Sequence, residues 1–556
     1  VPKEMKLKPN EEFQSLQDYR NYKSSNGLYD IARENEKFVV GIHWDGVESK
    51  NLKQTTYNMI GQTQEVKNAS ILANELSMRR RANKVDDKHE KTQEAIEAFN
   101  LADKQNWDRL DVNTMNEMVV YDGSIQGLGV SYWWWDDTIQ TGNKYSTDGD
   151  INGKTINSID LYVANPIETD IQMQTKVKLT VDMTVSDARA YAKSKDVPED
   201  QVRQIVADDE GRSYRAFEKS ENDESTGKGD KLTTLLINFE KKEGVWYKSE
   251  SFRDVVVEEW FDTELELLPI AIFPYKLRKN FIYAEAEMTR YIENQKVANT
   301  QAAARHLHAV LMAVPKVLVN ENMINSFTNA IGGVNKVKVA PQTQISNAMT
   351  FVQPTAMTLD VDKSIDDAIR RTQDLAGVNE NIKGEARPEN AAALMTQIKQ
   401  ATIPIESYKR RLQRYVKDVG LIWEEFYKKK YNITRVVADE EGNEVKFTGT
   451  DFADINLNTT VDVGPSQQWS EIVSFQALKD LWTMQIITEP NQVLERLPEN
   501  LIKDQDGLVQ ENQNEAMLNQ LMSIAISSQP PEVQQQFAEM PTEEKKEFIN
   551  NLLGGQ

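Results

Sequence analysis

Residues Ala391 to Tyr431 read AAALMTQIKQATIPIESYKRRLQRYVKDVGLIWEEFYKKKY. The pattern is helical throughout these 41 residues, roughly 60 Å at 1.5 Å per residue, with a kink expected at Pro404. The interior of a small domain seldom needs a helix of that length. The reading therefore turns on what the neighbouring segments do with it.

On its N-terminal side, Val378 to Asn390 contains Gly384 and Pro388 and is too irregular for a helix. Before that, the spacing predicts a helix from about Thr358 to Gly377, with Val361, Ile365, Ile369 and Leu375 inward and Asp360, Asp366, Asp367 and Asp374 outward. Further back lies a compact insert. Its strand-like runs are Lys316 to Val319, Val334 to Val339 and Met349 to Val352, around a short helix, Asn322 to Ala330, that stops at Gly332-Gly333. Pro315 separates the insert from another helix, Tyr283 to Leu311, where Met288, Tyr291, Ile292, Gln295, Ala298, Ala302 and Ala309 mark one stripe. Small residues on that stripe permit close helix neighbours. After the long helix, Val445 to Val463 gives two or three strands behind a turn at Glu441-Gly442-Asn443. From Gln467 onward the chain reads helical and acidic, with five Lys or Arg against 14 Asp or Glu.

The first half reads as an α+β body. Its first 65 residues lack sustained periodicity and read as an arm with short elements. Ser70 is placed to cap a helix through Leu76 and Arg79, and further helical patterns span Asp87 to Leu101 and Trp107 to Ile125. A strand follows at Val130 to Trp135. Trp133, Trp134 and Trp135 cannot all face one side of it, so either both faces are covered or one indole sits at an interface. Ile159 to Val185 reads as strands, Ser186 to Lys193 and Glu199 to Ala207 as short helices, and Phe217 to Lys231 has the composition of a mobile excursion. Strands return at Leu232 to Phe239, Val245 to Ser249 and Val255 to Trp260, and Leu267 to Phe273 is a short buried run closed by Pro274.

Composition narrows the chemistry. The 556 residues are 39% apolar, enough for about three to five structural units and a sizeable core. The apolar runs are too short for a membrane helix, and no apolar segment follows the basic residues at the start, so a soluble protein made and used inside a cell is expected. Cysteine is absent and histidine occurs four times, which excludes disulfides, thiolate catalysis, iron-sulfur ligation and Cys-containing zinc sites. Asp148 to Thr155 ends in Gly-Lys-Thr, but Asp148 stands where a phosphate loop needs its first glycine. The same residues offer Asp148, Asp150 and Asn152 to a cation, but Ile159 stands where the closing Glu of a calcium loop belongs. A solvated turn is the simpler reading there. His306 and His308 point about 200° apart on their helix and cannot share a metal. No catalytic or cofactor motif stands out.

With 65 basic residues against 87 acidic ones, the net charge is −22, which argues against tight wrapping of nucleic acid but not against loose passage of DNA past an acidic wall. Basic clusters stand out against this background: Arg79-Arg80-Arg81, Lys276 to Lys279, Lys409 to Lys417 and Lys428-Lys429-Lys430. Each reads most simply as a solvated helix face. Arg410, Arg414 and Lys417 are spaced to share one face and are the better candidate for contact with phosphate or an acidic partner.

The order helix, compact insert, helix, glycine-containing loop and very long kinked helix resembles the portal proteins of tailed bacteriophages and related viruses. Leu268-Pro269-Ile270-Ala271-Ile272-Phe273-Pro274, followed by a helix carrying Gln295 and Asn299, is similar to that family's approach to its first stem helix. Gly377-Val378-Asn379 through Glu389-Asn390-Ala391-Ala392-Ala393-Leu394 is similar to the loop and helix start after its second, and Asp18-Tyr19-Arg20-Asn21-Tyr22 more weakly resembles its N-terminal segment. Tyr283-Ala284-Glu285 and Ala391 depart from the Gly and Ser common in relatives.

The resemblance implies a portal-like α+β fold. Residues 1–39 would be an N-terminal arm, 40–280 and 391–465 an α/β wing, 281–311 and 357–377 a helical stem, 312–356 a small strand-containing clip, 378–390 a tunnel loop and 466–556 a helical crown. It further implies a ring, typically of about twelve copies, at a capsid vertex of a virion assembled in the host cytoplasm. Double-stranded DNA passes through that ring. The partners would be terminase, the head-tail adaptor, and the major capsid and scaffolding proteins, with no membrane, no cofactor, no metal and no catalytic residue, ATP hydrolysis belonging to the terminase. Lys383 and Arg387, beside Glu380 and Glu385, would face the DNA channel, and Ala298, Ala302 and Ala309 would pack the stem. The alternative is a helical structural or interaction scaffold of a virion, and a third reading is an enzyme whose site carries no recognisable motif.

Overall fold

A computed structural model describes residues 6–45, 53–74, 76–82, 90–140, 148–208, 232–313, 316–319, 349–352, 360–377, 391–438, 444–455 and 457–463. The chain divides into two units, Val1–Asp462 and Val463–Gln556, and the elements below build the first. The loop at 378–390, the strand at 334–339, the helix at 322–330 and the crown at 466–556 lie outside the described residues.

Helices α1 (Pro9–Ser25) and α2 (Leu28–Val40) open the chain. They replace the expected arm with part of the core. Phe13 and Leu16 pack with Tyr162 and Leu236, and Leu7 packs with Tyr247 and Trp260. The Lys23 ammonium, fully buried, donates to the carbonyls of Ser158 and Ile159 at 2.7 and 2.9 Å and lies over the rings of Tyr162 and Tyr283. Burial holds its pKa well below the ordinary lysine value.

A helix capped by Ser70 does not form. Asn58 caps α3 (Met59–Leu72) by accepting from the Gly61 N–H at 3.0 Å, and the Ser70 hydroxyl bonds back to the Val66 carbonyl inside that helix. Residues Leu76–Ala82 are instead a strand, β1, in which Met78 and Arg80 face inward while Arg79 and Arg81 are exposed. Helices α4 (Glu90–Arg109) and α5 (Val112–Gln126) stand where two helices are expected, but the break falls later, at Asp111 with φ 47°, so that Trp107 belongs to the first helix and not the second.

β2 (Leu128–Gln140), β3 (Asp148–Asn157), β4 (Leu161–Val163) and β5 (Lys176–Thr184) follow, then α6 (Val185–Ser194) and α7 (Glu199–Val202), the last shorter than expected. Next come β6 (Leu232–Lys242), β7 (Val245–Ser251), β8 (Val256–Asp262) and β9 (Ile270–Pro274). Two antiparallel sheets result, one in the order β4-β5-β6-β7-β8 and one in the order β3-β2-β9. Both faces of β2 are covered. Trp133 meets Trp423 edge-on at 5.1 Å and Trp135 meets Tyr431 at 5.9 Å, while Trp134 stacks on Tyr132 toward the other core. Gly153, paired with Trp133, leaves room for its indole, since a Cβ there would lie 2.3 Å from the ring.

Helix α8 (Thr289–Ala313) starts later than Tyr283 because Phe281, Ile282 and Tyr283 insert into the sheet core and Ala284 turns the chain at φ 60°. Strands β10 (Lys316–Val319) and β11 (Met349–Val352) pair antiparallel, Lys316 opposite Val352. Helix α9 (Asp360–Ala376) returns along α8. Asn294 donates to Thr372 at 3.2 Å while Ala298 packs with Ala368, so the two helices run antiparallel. Helix α10 (Ala391–Lys430) carries Pro404 inside it and buries Leu412, Val416, Val419, Trp423 and Tyr427 in the main core. Strands β12 (Arg435–Ala438), β13 (Glu444–Phe447) and β14 (Leu457–Val463) complete the unit, β12 with β13 and β14 with β1. The architecture is mixed α+β.

Candidate functional site

The long helix carries most of the chemistry. Gly377, at φ 69°, ends α9 beside Pro404, where a Cβ on the glycine would lie 2.9 Å from the proline ring. Ala391 therefore starts α10 about 20 Å up the helix from that junction. Arg410, Arg414 and Lys417 are exposed on the part that follows Pro404, along one face. Beside them, α10, edge strand β9 and the turn at 169–172 enclose a groove of about 200 Å³ lined by Asp170, Gln172, Ile272, Leu277, Arg411 and Arg414, among others. Asp418 also lines it. Burial lifts the Asp418 carboxyl to about 6, Arg414 and Lys417 pulling it down and Asp170 pushing it up. Leu277 is 62% exposed at its rim.

A buried joint ties α3 and the start of α8 to α10. Glu287 Oε1 accepts from Lys67 Nζ at 2.8 Å, from the Tyr291 hydroxyl at 2.9 Å and from the Tyr408 hydroxyl at 3.2 Å. Glu287 Oε2 and Arg411 Nε are buried without a hydrogen-bond partner. The Lys67 ammonium lies 4.3 Å from the Tyr408 ring centre, and the Arg411 guanidinium also covers that ring, at 4.5 Å. Burial lowers the lysine pKa despite Glu287 and raises both tyrosine hydroxyls. The joint can fasten three helices. The three donors all meet on Glu287 Oε1, so one carboxylate oxygen holds the three segments together.

A second buried network accounts for two readings of the sequence that do not hold. Arg80 is no solvated helix residue: its guanidinium donates to both Asp103 oxygens at 2.7 and 3.1 Å, to Glu424 at 2.8 Å, to Thr459 at 2.7 Å and to the Gly420 carbonyl at 2.8 Å. Asp150 is not part of a solvated turn. It lies buried in β3, accepts from the Tyr431 hydroxyl at 2.7 Å and faces Arg109 at 3.5 Å and Arg435 at 3.6 Å. Its negative charge is met by the two guanidinium groups of the protein itself. Among the described residues no three His, Asp or Glu side chains gather to hold a metal ion.

The remaining expected site residues divide. Ala298 and Ala302 are buried within the chain itself, Ala298 in a cluster with Met59 and Ala368, whereas Ala309 is exposed. Within the chain, the described contacts of this stripe are with α3 and α9, through Met59 and Ala368. Lys383, Arg387, Glu380 and Glu385 lie outside the described residues. The buried cations Lys23, Lys67, Arg80 and Lys178 carry no sequence signal beyond the alternation around Arg80.

No protein-family model matches the chain, and no curated protein matches it in sequence. No described helix is long and apolar enough to cross a membrane.

Proposed function

We propose that the chain is the portal subunit of a tailed bacteriophage, closing with copies of itself into a ring at one capsid vertex through which double-stranded DNA enters and leaves. One observation carries the reading. Two antiparallel helices, α8 and α9, bracket a small β10–β11 pair, and α9 ends against Pro404 of a 40-residue helix that runs back through the core of an α/β body. That arrangement suits a subunit with a narrow helical stem and a broad wing. The net charge of −22 suits a passage that must not grip phosphates.

In this reading Lys383 and Arg387, with Glu380 and Glu385, meet the DNA, and Arg410, Arg414 and Lys417 form a contact face. The ring docks terminase during packaging and the head-tail adaptor afterwards, and is built into the shell with the major capsid and scaffolding proteins. The chain performs no catalysis and holds no cofactor. Sedimentation velocity of the purified chain tests the assembly: a closed species of about twelve copies is expected, and a monomer at all concentrations would favour a virion scaffold instead.

A further inference from the structure

A ring of identical subunits needs a heterologous contact, in which one surface of each copy meets a different surface of the next. Two described surfaces differ in the required way. They lie at opposite edges of the sheet β3-β2-β9. At the β9 edge is the α10 groove, with Arg410, Arg414 and Lys417 exposed beside it and Leu277 at 62% exposure on its rim. The turn that lines this groove is flanked in the chain by Ile167 and Met173, exposed at 64% and 71%. At the β3 edge, α5 and β3 frame a cleft of about 500 Å³ lined by Glu117, Met118, Tyr121, Asp122, Thr155 and Asn157. Met118 is 52% exposed and Tyr121 38%, and Glu36 stands near enough to Asp122 to act on its charge.

One surface thus combines apolar side chains with an excess of cations, Arg410, Arg411, Arg414 and Lys417 outnumbering Asp170 and Asp418, and the other combines them with the exposed Glu117 and the half-buried Asp122. We propose that the Leu277–Arg414 groove of one copy receives the Met118–Tyr121 face of α5 from the next, head to tail. The proposal rests on the ring reading, because a closed ring is what calls for two unlike surfaces on each copy. Charge selects this pairing. Two chains of net charge −22 repel in most orientations, and joining the cationic patch of one to the acidic patch of the other removes that penalty at the point of contact while it steers the encounter. The exposed Leu277 and Met118 supply apolar contact at the centre, and the charges sit around it.

The absence of cysteine makes the test direct. Leu277→Cys and Met118→Cys are made separately, and the chains are treated with a short bismaleimide alone and mixed. The mixture is expected to give a cross-linked pair at least ten times more abundant than either variant alone gives, since like surfaces do not meet. Adding Arg414→Glu and Lys417→Glu to the Leu277→Cys chain is expected to cut the product at least tenfold, and Glu117→Arg in the Met118→Cys chain to restore part of it. Equal cross-linking in the single and mixed samples, or a yield indifferent to the charge reversals, overturns the proposal. So does loss of duplex DNA binding on Arg414→Glu with cross-linking unchanged, which would make the cationic patch a phosphate site. Images of the unmodified chain decide the ring reading separately: an open chain of subunits that still cross-links would keep this contact and remove the closed ring.

Discussion

Arg80→Met is the substitution with the most calculable cost. It keeps the volume and removes the charge. Each of the five guanidinium N–H groups is in use, two on Asp103 and one each on Glu424, Thr459 and the Gly420 carbonyl. Arg80 and Asp103 are almost wholly buried and Glu424 is 6% exposed, so the variant leaves two carboxylates in the interior without their counter-charge. Breaking a buried pair on one side costs about 3 to 5 kcal/mol. The sign of the pH dependence follows from Asp103. Burial already pushes its carboxyl up and Arg80 pulls it back, so removing Arg80 raises it further. A carboxyl raised above its unfolded value binds more protons in the native state, and its cost to stability grows with pH and is relieved as pH falls. Urea unfolding followed by circular dichroism should show Arg80→Met less stable by about 3 to 5 kcal/mol at pH 8 and by clearly less at pH 5. A deficit below about 1 kcal/mol at pH 8, or one equal at both pH values, would mean that Asp103 and Glu424 do not depend on the Arg80 charge.

Three further outcomes follow from other parts of the body. Ala298→Leu overfills the contact among α3, α8 and α9 and should destabilise the unassembled chain by about 1 to 3 kcal/mol; an unchanged monomer melt with lost assembly would instead put that face between copies. Gly153→Ala brings a Cβ against the Trp133 indole and should cost a similar amount and shift the tryptophan fluorescence, and an unchanged spectrum and melt would contradict the packing. Burial and the nearby Glu36 and Asp160 raise the Asp122 carboxyl to about 7, so wild-type stability falls as pH rises from about 4 to 7. Asp122→Asn should therefore be more stable than wild type at pH 8, by on the order of 1 to 3 kcal/mol, and equal to it at pH 4. A gain that is the same at both pH values would mean the carboxyl is not raised.

The long helix, the strands from Leu232 to Trp260 and the stripe from Met288 to Ala302 were legible because burial on one face imposes a period that the sequence must carry. The three tryptophans were legible for the same reason, since alternation left a choice only between two covered faces and an interface. What escaped depends on tertiary contact. In α1 the pattern is weak, and a buried lysine such as Lys23 looks like any exposed one until its two carbonyl partners are placed. Helix α2, by contrast, does carry a one-face stripe, Tyr29, Ala32, Asn35, Phe38 and Val39, that the reading as an arm passed over. Arg79 to Arg81 misled because a charge triplet is usually solvated, whereas a strand turns the middle residue inward. Asp150 misled similarly, its partners Tyr431 and Arg435 lying more than 280 positions away. The joint at Glu287 joins residues from α3, α8 and α10 and has no local signature at all.

Negative-stain electron microscopy of the purified chain at physiological salt decides most directly whether it closes into a ring. Closed rings of about twelve subunits with a central hole in end view are expected. A field of monomers, or of elongated particles without a hole at any concentration, would contradict that expectation.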